Sequence, residues 1–242
     1  MKICIAQLRP IKGDIHGNIK KHMTLIELAS SRQATSIFFS ELSLTSYEPE
    51  LAKELATTQD DNILDDFQQI SDINNISIGI GIPTKSETGI QISMIIFQPQ
   101  SPRQTYSKQQ LPSCELPYFE SGNREVILDV EGTKIAPAIC YESLQPDHAE
   151  KAKNLGAEIY LASVAKSQNG IDKAMLHYPK MALKHSMSVL MSNCIGPCED
   201  FVAAGLSAVW SKQGELLGQL DKDNEGLLIF NTETEEVIKY GI

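Results

Sequence analysis

Three side chains with complementary chemistry stand where short apolar runs of this sequence end. The stretch I-A-P-A-I-C-Y-E-S, Ile135 to Ser143, delivers Cys140; Ile37-Phe38-Phe39 runs into Ser40-Glu41; and Lys108 follows a short run ending at Ser107. A thiol, a carboxylate and an ammonium make a nucleophilic set. The thiolate is the reactive form, and a free thiol with a pKa of about 8.5 is mostly protonated at neutral pH. Glu41 can accept that proton. Lys108 can favour the thiolate, and then the oxyanion that forms when sulfur attacks a carbonyl, with the backbone N–H of Tyr141 as a second donor. Taken singly, each residue has an ordinary reading: a small buried hydrophobe, a solvated carboxylate, a surface charge. Only the combination points to covalent acyl chemistry.

The elements needed to position such a set can be read from periodicity. Ile3 and Ile5 alternate in a strand over 2–6. Ile19, Met23, Ile26 and Ala29 fall at helical spacing over 18–33, with Asn18 as the expected cap. Residues 50–58 and 62–74 read as helices. I-S-I-G-I-G-I, Ile76 to Ile82, alternates as a strand that Pro83 is expected to end, its glycines suited to close packing. Strands are expected over 90–97 and 103–107, and a hairpin over 125–130 and 133–140 turning at Glu131-Gly132. Helices over 146–155 and 172–187 alternate with strands over 158–162 and 189–193. The last third reads as a three-strand meander, 206–210, 215–219 and 226–230, followed by a solvated acidic end, E-T-E-E. The order mixes β-α-β units with hairpins, giving an α/β or α+β outline with sheets of mixed direction.

Composition narrows the function classes. The 242 residues, 42% apolar and 21% charged, suit a globular protein, and no linker or repeat divides them, so one domain over 1–242 is expected. A net charge of -10 without a basic cluster argues against nucleic acid as a partner. Five scattered cysteines do not form a disulfide framework, and neither a charged leader followed by an apolar run nor a long apolar stretch occurs. The expected place is therefore the cytoplasm, away from membranes. The C-I-G-P-C spacing of Cys194 and Cys198 lacks a second ligand pair, the histidines form no H-x-x-x-H or H-E-x-x-H, and G-I-G-I-P lacks a phosphate loop's Lys-Ser/Thr. No metal or nucleotide cofactor is expected.

Four stretches in order, F-F-S-E-L-S-L-T-S-Y-E-P around Glu41, Y-S-K-Q-Q-L-P around Lys108, E-L-P-Y-F-E-S-G from Glu115 and A-I-C-Y-E around Cys140, resemble the nitrilase superfamily of carbon-nitrogen hydrolases. N-C-I-G near Asn193 and G-L-S near Gly205 extend the likeness over nearly the whole chain. The resemblance implies a four-layer α-β-β-α sandwich, a Glu41-Lys108-Cys140 triad with Glu115 as a second glutamate, and no cofactor. By the same resemblance the substrate is a small amide or N-carbamoyl compound, cleaved through a thioester, and the assembly a homodimer or larger. Tyr47, Tyr118, Tyr141 and Glu142 are the candidates for the pocket wall. The sequence departs from the usual pattern in two places: Ser143, Leu144 and Gln145 stand where many amidase-like relatives carry an arginine, so a cation is expected to be missing near the pocket, and Ser46 replaces a glycine. Rival readings are a nitrile substrate, against which Tyr141 in place of tryptophan speaks, and a non-catalytic binding protein that kept the fold.

Overall fold

A computed structural model describes residues 1–242. One sheet is built from β1 (Lys2–Gln7), β2 (Ser36–Phe38), β3 (Ser77–Lys85), β4 (Ile90–Phe97), β5 (Gln104–Ser107), β14 (Gly226–Asn231) and β15 (Val237–Gly241), in the order β15-β14-β1-β2-β3-β4-β5. The second uses β6 (Leu128–Val130), β7 (Thr133–Ile139), β8 (Ile159–Val164), β9 (Ser188–Asn193), β12 (Ala208–Trp210) and β13 (Leu216–Gln219), in the order β13-β12-β9-β8-β7-β6. A separate hairpin joins β10 (Ile195–Cys198) to β11 (Phe201–Ala204). The helices are α1 (Ile15–Ser31), α2 (Ala52–Leu55), α3 (Asp65–Asn74), α4 (Pro146–Asn154) and α5 (Gln168–His185).

Side-chain alternation along the strands explains the layers. Ile3 and Ile5 of β1, with Ile135 and Ile139 of β7, enter one apolar cluster between the two sheets. Their neighbours Cys4 and Ala6 pack outward under α1 and α3, while Ala136 and Ala138 pack outward under α4 and α5. Small outward residues let the second helix pair lie close to its sheet, whereas the branched inward ones fill the space between sheets. The result is the four-layer α-β-β-α sandwich. No helix is long and apolar enough to cross a membrane.

Strand direction places the site. β1, β2 and β3 are parallel neighbours, as are β7, β8 and β9, and two antiparallel steps through β4 return β5 to the direction of β3. The two sheets meet at the same ends: Ser163 Oγ donates to Phe39 O at 2.8 Å, and Ser192 Oγ to Ala6 O at 2.6 Å. The carboxyl ends of β2, β5, β7, β8 and β9 therefore converge, as they do where α/β proteins assemble sites.

Several local expectations are corrected. Asp14, not Asn18, caps α1, accepting from Gly17 N at 2.9 Å. Asn18 is buried and uses its amide to bind Ile11 O and Leu44 O. Pro83 does not end β3, because its missing N–H is not called on: β2 stops opposite Gly79, and Thr57, the next partner on that side, donates to Pro83 O and accepts from Lys85 N. Pro137 is tolerated in β7 for the same reason, since β6 ends opposite Ile135. The expected meander is broken: β12 and β13 pair in one sheet, while β14 crosses to the other and pairs with β1. The β10–β11 hairpin and β15 were not legible, and E-T-E-E is the connection from β14 to β15, not the chain's end. Glu131 and Gly132, both at positive φ, make the expected two-residue turn.

Candidate active site

Lys108, just past β5, is fully buried, and its ammonium binds Glu41 Oε1 at 2.8 Å and Glu115 Oε1 at 2.7 Å. Burial opposes its charge, but Glu41, Cys140 and Glu115 outweigh that and hold its pKa above the usual lysine range. Glu41 Oε2 accepts the backbone N–H of Ala165 at 3.2 Å, so both of its oxygens are held. Close packing explains the Glu41 loop: a Cβ on Gly81 would lie 2.4 Å from Leu42 N and 2.5 Å from Ser40 O. Leu44 N donates to Gly81 O and Gly81 N to Ser43 Oγ, which lays the loop across β3.

Glu115 reaches Lys108 from the loop between Pro112 and Pro117, and Tyr47 OH donates to its Oε1 at 3.0 Å. Glu115 Oε2 is buried and has no partner. Burial and the Glu41 charge raise the Glu115 pKa, although Lys108 and Tyr47 pull the other way. Cys140 follows β7 in the left-handed region at φ 49°, a conformation that favours glycine, and is anchored by its N–H to Ser163 O at 3.0 Å. Its thiol is half-buried. Burial first, and Glu41 second, push that thiol up to about 11, opposed by Lys166 and Lys108. The amide of Tyr141 donates to no group within the protein, so it is free to meet a developing oxyanion.

Glu41, Lys108, Glu115 and Cys140 are thus gathered, and Tyr47 joins them. The other wall candidates differ. Glu142 is fully buried and does not line a pocket. Its Oε1 accepts Tyr106 OH at 2.6 Å and Ile139 N at 2.7 Å, and its Oε2 accepts Gln109 N at 2.6 Å and Gln110 N at 3.2 Å. It therefore ties the Cys140 turn to the residues after Lys108, using lone pairs no substrate can reach. Tyr118 borders a surface cavity of about 560 Å³, with Leu116 and Lys53, that contains none of the four central residues. The Tyr141 side chain is exposed.

Sequence reasoning missed Lys166. It stands two residues past the end of β8, and its Nζ lies 3.6 Å from Cys140 Sγ, so the cation expected to be missing is supplied from another strand. Asn193 fixes it: Lys166 N donates to Asn193 Oδ1 at 2.8 Å, and Asn193 Nδ2 donates to Lys166 O at 3.1 Å. The signal was present, since A-S-V-A-K ends a buried run in a charged residue as the stretches before Glu41 and Lys108 do. Cys194 and Cys198 lie 3.9 Å apart, in a small cluster with Ala165 against Tyr47.

A four-layer sandwich whose converging strand ends hold a thiol among two carboxylates and two ammonium groups has the make-up of a nitrilase-superfamily hydrolase. The family model for carbon-nitrogen hydrolases matches residues 2–241, and the chain belongs to that family. Among solved structures, the amidase of Nesterenkonia sp. AN1 superposes with a TM-score of 0.88 at 21% identity, covering 97% of this chain and 94% of that one. A variant of that amidase showing Michael addition of acrylamide at its active-site cysteine has the same TM-score at 20% identity and the same coverages. Among curated proteins, the glutamine-dependent NAD(+) synthetases of Thermotoga maritima and Aquifex aeolicus are 22% and 24% identical over 100% and 98% of this chain, and 44% and 43% of their own lengths. The chain thus spans less than half the length of these relatives.

Proposed function

We propose that this chain hydrolyses a small non-peptide amide through a thioester on Cys140. The observation that carries the reading is a buried Lys108 held between Glu41 and Glu115 beside a thiol whose following amide, that of Tyr141, is free. Glu41 takes the thiol proton as sulfur bonds to the carbonyl carbon, and Lys108 Nζ with Tyr141 N–H holds the oxyanion. The C–N bond breaks, the departing nitrogen takes the proton from Glu41, and the thioester remains. Water then attacks with Glu41 as base, releasing the acid. Glu115 acts on this step by orienting Lys108 and through its open Oε2.

The test is turnover of short aliphatic amides and N-carbamoyl compounds, read as ammonia release and as an acyl adduct on Cys140 by mass spectrometry. Retained turnover in Cys140→Ala would sink the reading, and nitriles in the same panel test the nitrile alternative. The names of the curated relatives favour a second reading, in which the amide is that of glutamine, so glutamine belongs in the panel. For the assembly we propose a homodimer through α5, whose exposed Leu176 and Leu183 lie two turns apart on the face away from the core. A monomer by light scattering at micromolar concentration removes that part. The single domain over 1–242 and a cytoplasmic location belong to the same proposal.

A further inference from the structure

The charges facing Cys140 do not balance around Lys108. From the loops after β2 and β5 come Glu41, Glu115 and Lys108, which together carry one net negative charge. Tyr47, on the Glu41 side, and Tyr178, from α5, also face the thiol, and burial holds both phenols above their ordinary range, hence neutral. A thiolate formed by passing its proton to Glu41 keeps that net charge but moves it onto sulfur, where none of these groups is an uncommitted counter-ion, since Lys108 is already bound to both carboxylates.

Lys166 is the remaining charge. It is 6% exposed and has no carboxylate within 4.0 Å, and its only side-chain hydrogen bond is to Cys140 Sγ. Its stem packs on Gly170 in the first turn of α5, where an added Cβ would lie 3.1 Å from Lys166 Cβ, and Asn193 clamps its backbone from β9. The ammonium thus reaches the sulfur from the α5 side.

We propose that Lys166 is a catalytic residue of the same reaction, the counter-ion of the Cys140 thiolate on attack and again when sulfur departs. The inference rests on the amidase reading only in taking Cys140 as the nucleophile. In acylation the S–H proton passes to Glu41 and the sulfur electron pair, held by Lys166, forms the C–S bond. In deacylation a water proton passes to Glu41, the C–S bond breaks, and its electron pair returns to sulfur beside Lys166 before Glu41 restores the S–H. Burial opposes the charge of Lys166, but Cys140 raises its pKa, the reciprocal of its pull on the thiol.

The experiment needs no amide: the second-order rate of alkylation at Cys140 by 4-vinylpyridine, an uncharged reagent without an amide group, followed by peptide mapping on the full chain between pH 7 and 9. Lys166→Met is expected to slow it by about tenfold or more throughout, the effect of losing an opposite charge worth one pKa unit or more. Lys166→Gln, which keeps a hydrogen-bond donor but no charge, is expected to do the same, and Lys166→Arg to restore most of the rate. A rate in Lys166→Gln within twofold of the unsubstituted protein overturns the proposal. Labelling of buried Cys4 in the same digest reports unfolding; if Lys166→Met unfolds, the Gln and Arg pair decides alone. Absent amide turnover with an intact alkylation difference would count against the amidase reading and not against this one.

Discussion

Two buried lysines stand at strand ends of the same site, and they are held in opposite ways. Lys108 has two carboxylates within 2.8 Å and is sealed, whereas the Lys166 ammonium has none and hydrogen-bonds only to the thiol. A buried ammonium is costly unless paired, because desolvation of an ion amounts to several kcal/mol in a real protein. Lys108 meets that cost with partners already present in the resting site. Lys166 gains its full partner only when sulfur carries charge. The first lysine therefore organises the site, and the second favours a charge state that appears during the reaction.

The largest expected break in this contrast is Lys108→Met. It leaves Glu41 and Glu115 facing each other without a counter-ion, and a loss of about 3–5 kcal/mol of unfolding free energy in denaturant titrations is expected, together with loss of turnover. The loss should shrink as pH falls, because Glu115, whose pKa burial and Glu41 already raise, then takes up a proton and removes the repulsion. Lys108→Met/Glu115→Gln should recover part of the stability at neutral pH. A single variant as stable as the unsubstituted protein would show that Lys108 is not the anchor its contacts describe.

Next in size is the support behind Lys108. Glu142→Ala strands three backbone donors, Ile139 N, Gln109 N and Gln110 N, and a loss of about 2–4 kcal/mol is expected. The Glu142→Gln form should lie between, since an amide oxygen can keep only part of that set. Equal melting of the alanine variant and the unsubstituted protein would dismiss Glu142 as the tie between the two strand ends.

Then comes His22, under the Glu41 loop. Its Nδ1 lies 2.7 Å from Asn18 O and its Nε2 3.0 Å from Ser43 Oγ, and burial holds it neutral down to about 4. The unfolded chain binds a proton on this histidine from about pH 6.5 downward while the folded one does not, so its contribution is complete above that range and is lost as pH falls toward 4. Up to about 3 kcal/mol of stability is expected to disappear across that window at 1.36 kcal/mol per unit. His22→Gln should flatten the profile; an unchanged slope there would assign the acid sensitivity elsewhere. The smallest effect is Lys166→Met, expected to change unfolding free energy by no more than about 1 kcal/mol in either direction, since it removes an ammonium without orphaning a carboxylate. A loss as large as that of Lys108→Met would erase the distinction between the two lysines.

The parts of the fold legible in advance were those governed by local periodicity. Ile3 and Ile5, the glycine-spaced β3 and the Glu131-Gly132 turn are each set by side-chain alternation or by φ preferences within a few residues. What periodicity could not show was pairing across the chain, such as β14 leaving β13 for β1, because register and sheet membership depend on long-range contacts. At the site, the residues next to recognisable stretches were found, whereas Lys166 and the inward role of Glu142 were not. A glutamate two residues after Cys140 reads as pocket wall until the backbone turns it toward Tyr106 and Gln109.

By itself, then, the sequence determined which residue types close each strand, and so the stock of reactive groups: a thiol after β7, a carboxylate after β2, an ammonium after β5 and another after β8. Only the tertiary structure decided how the two ammonium groups are divided, one between Glu41 and Glu115 and one against Cys140 Sγ. The physical reason is distance: a charge acts strongly over a few ångströms, and which groups come that close is settled by the packing of one sheet on the other.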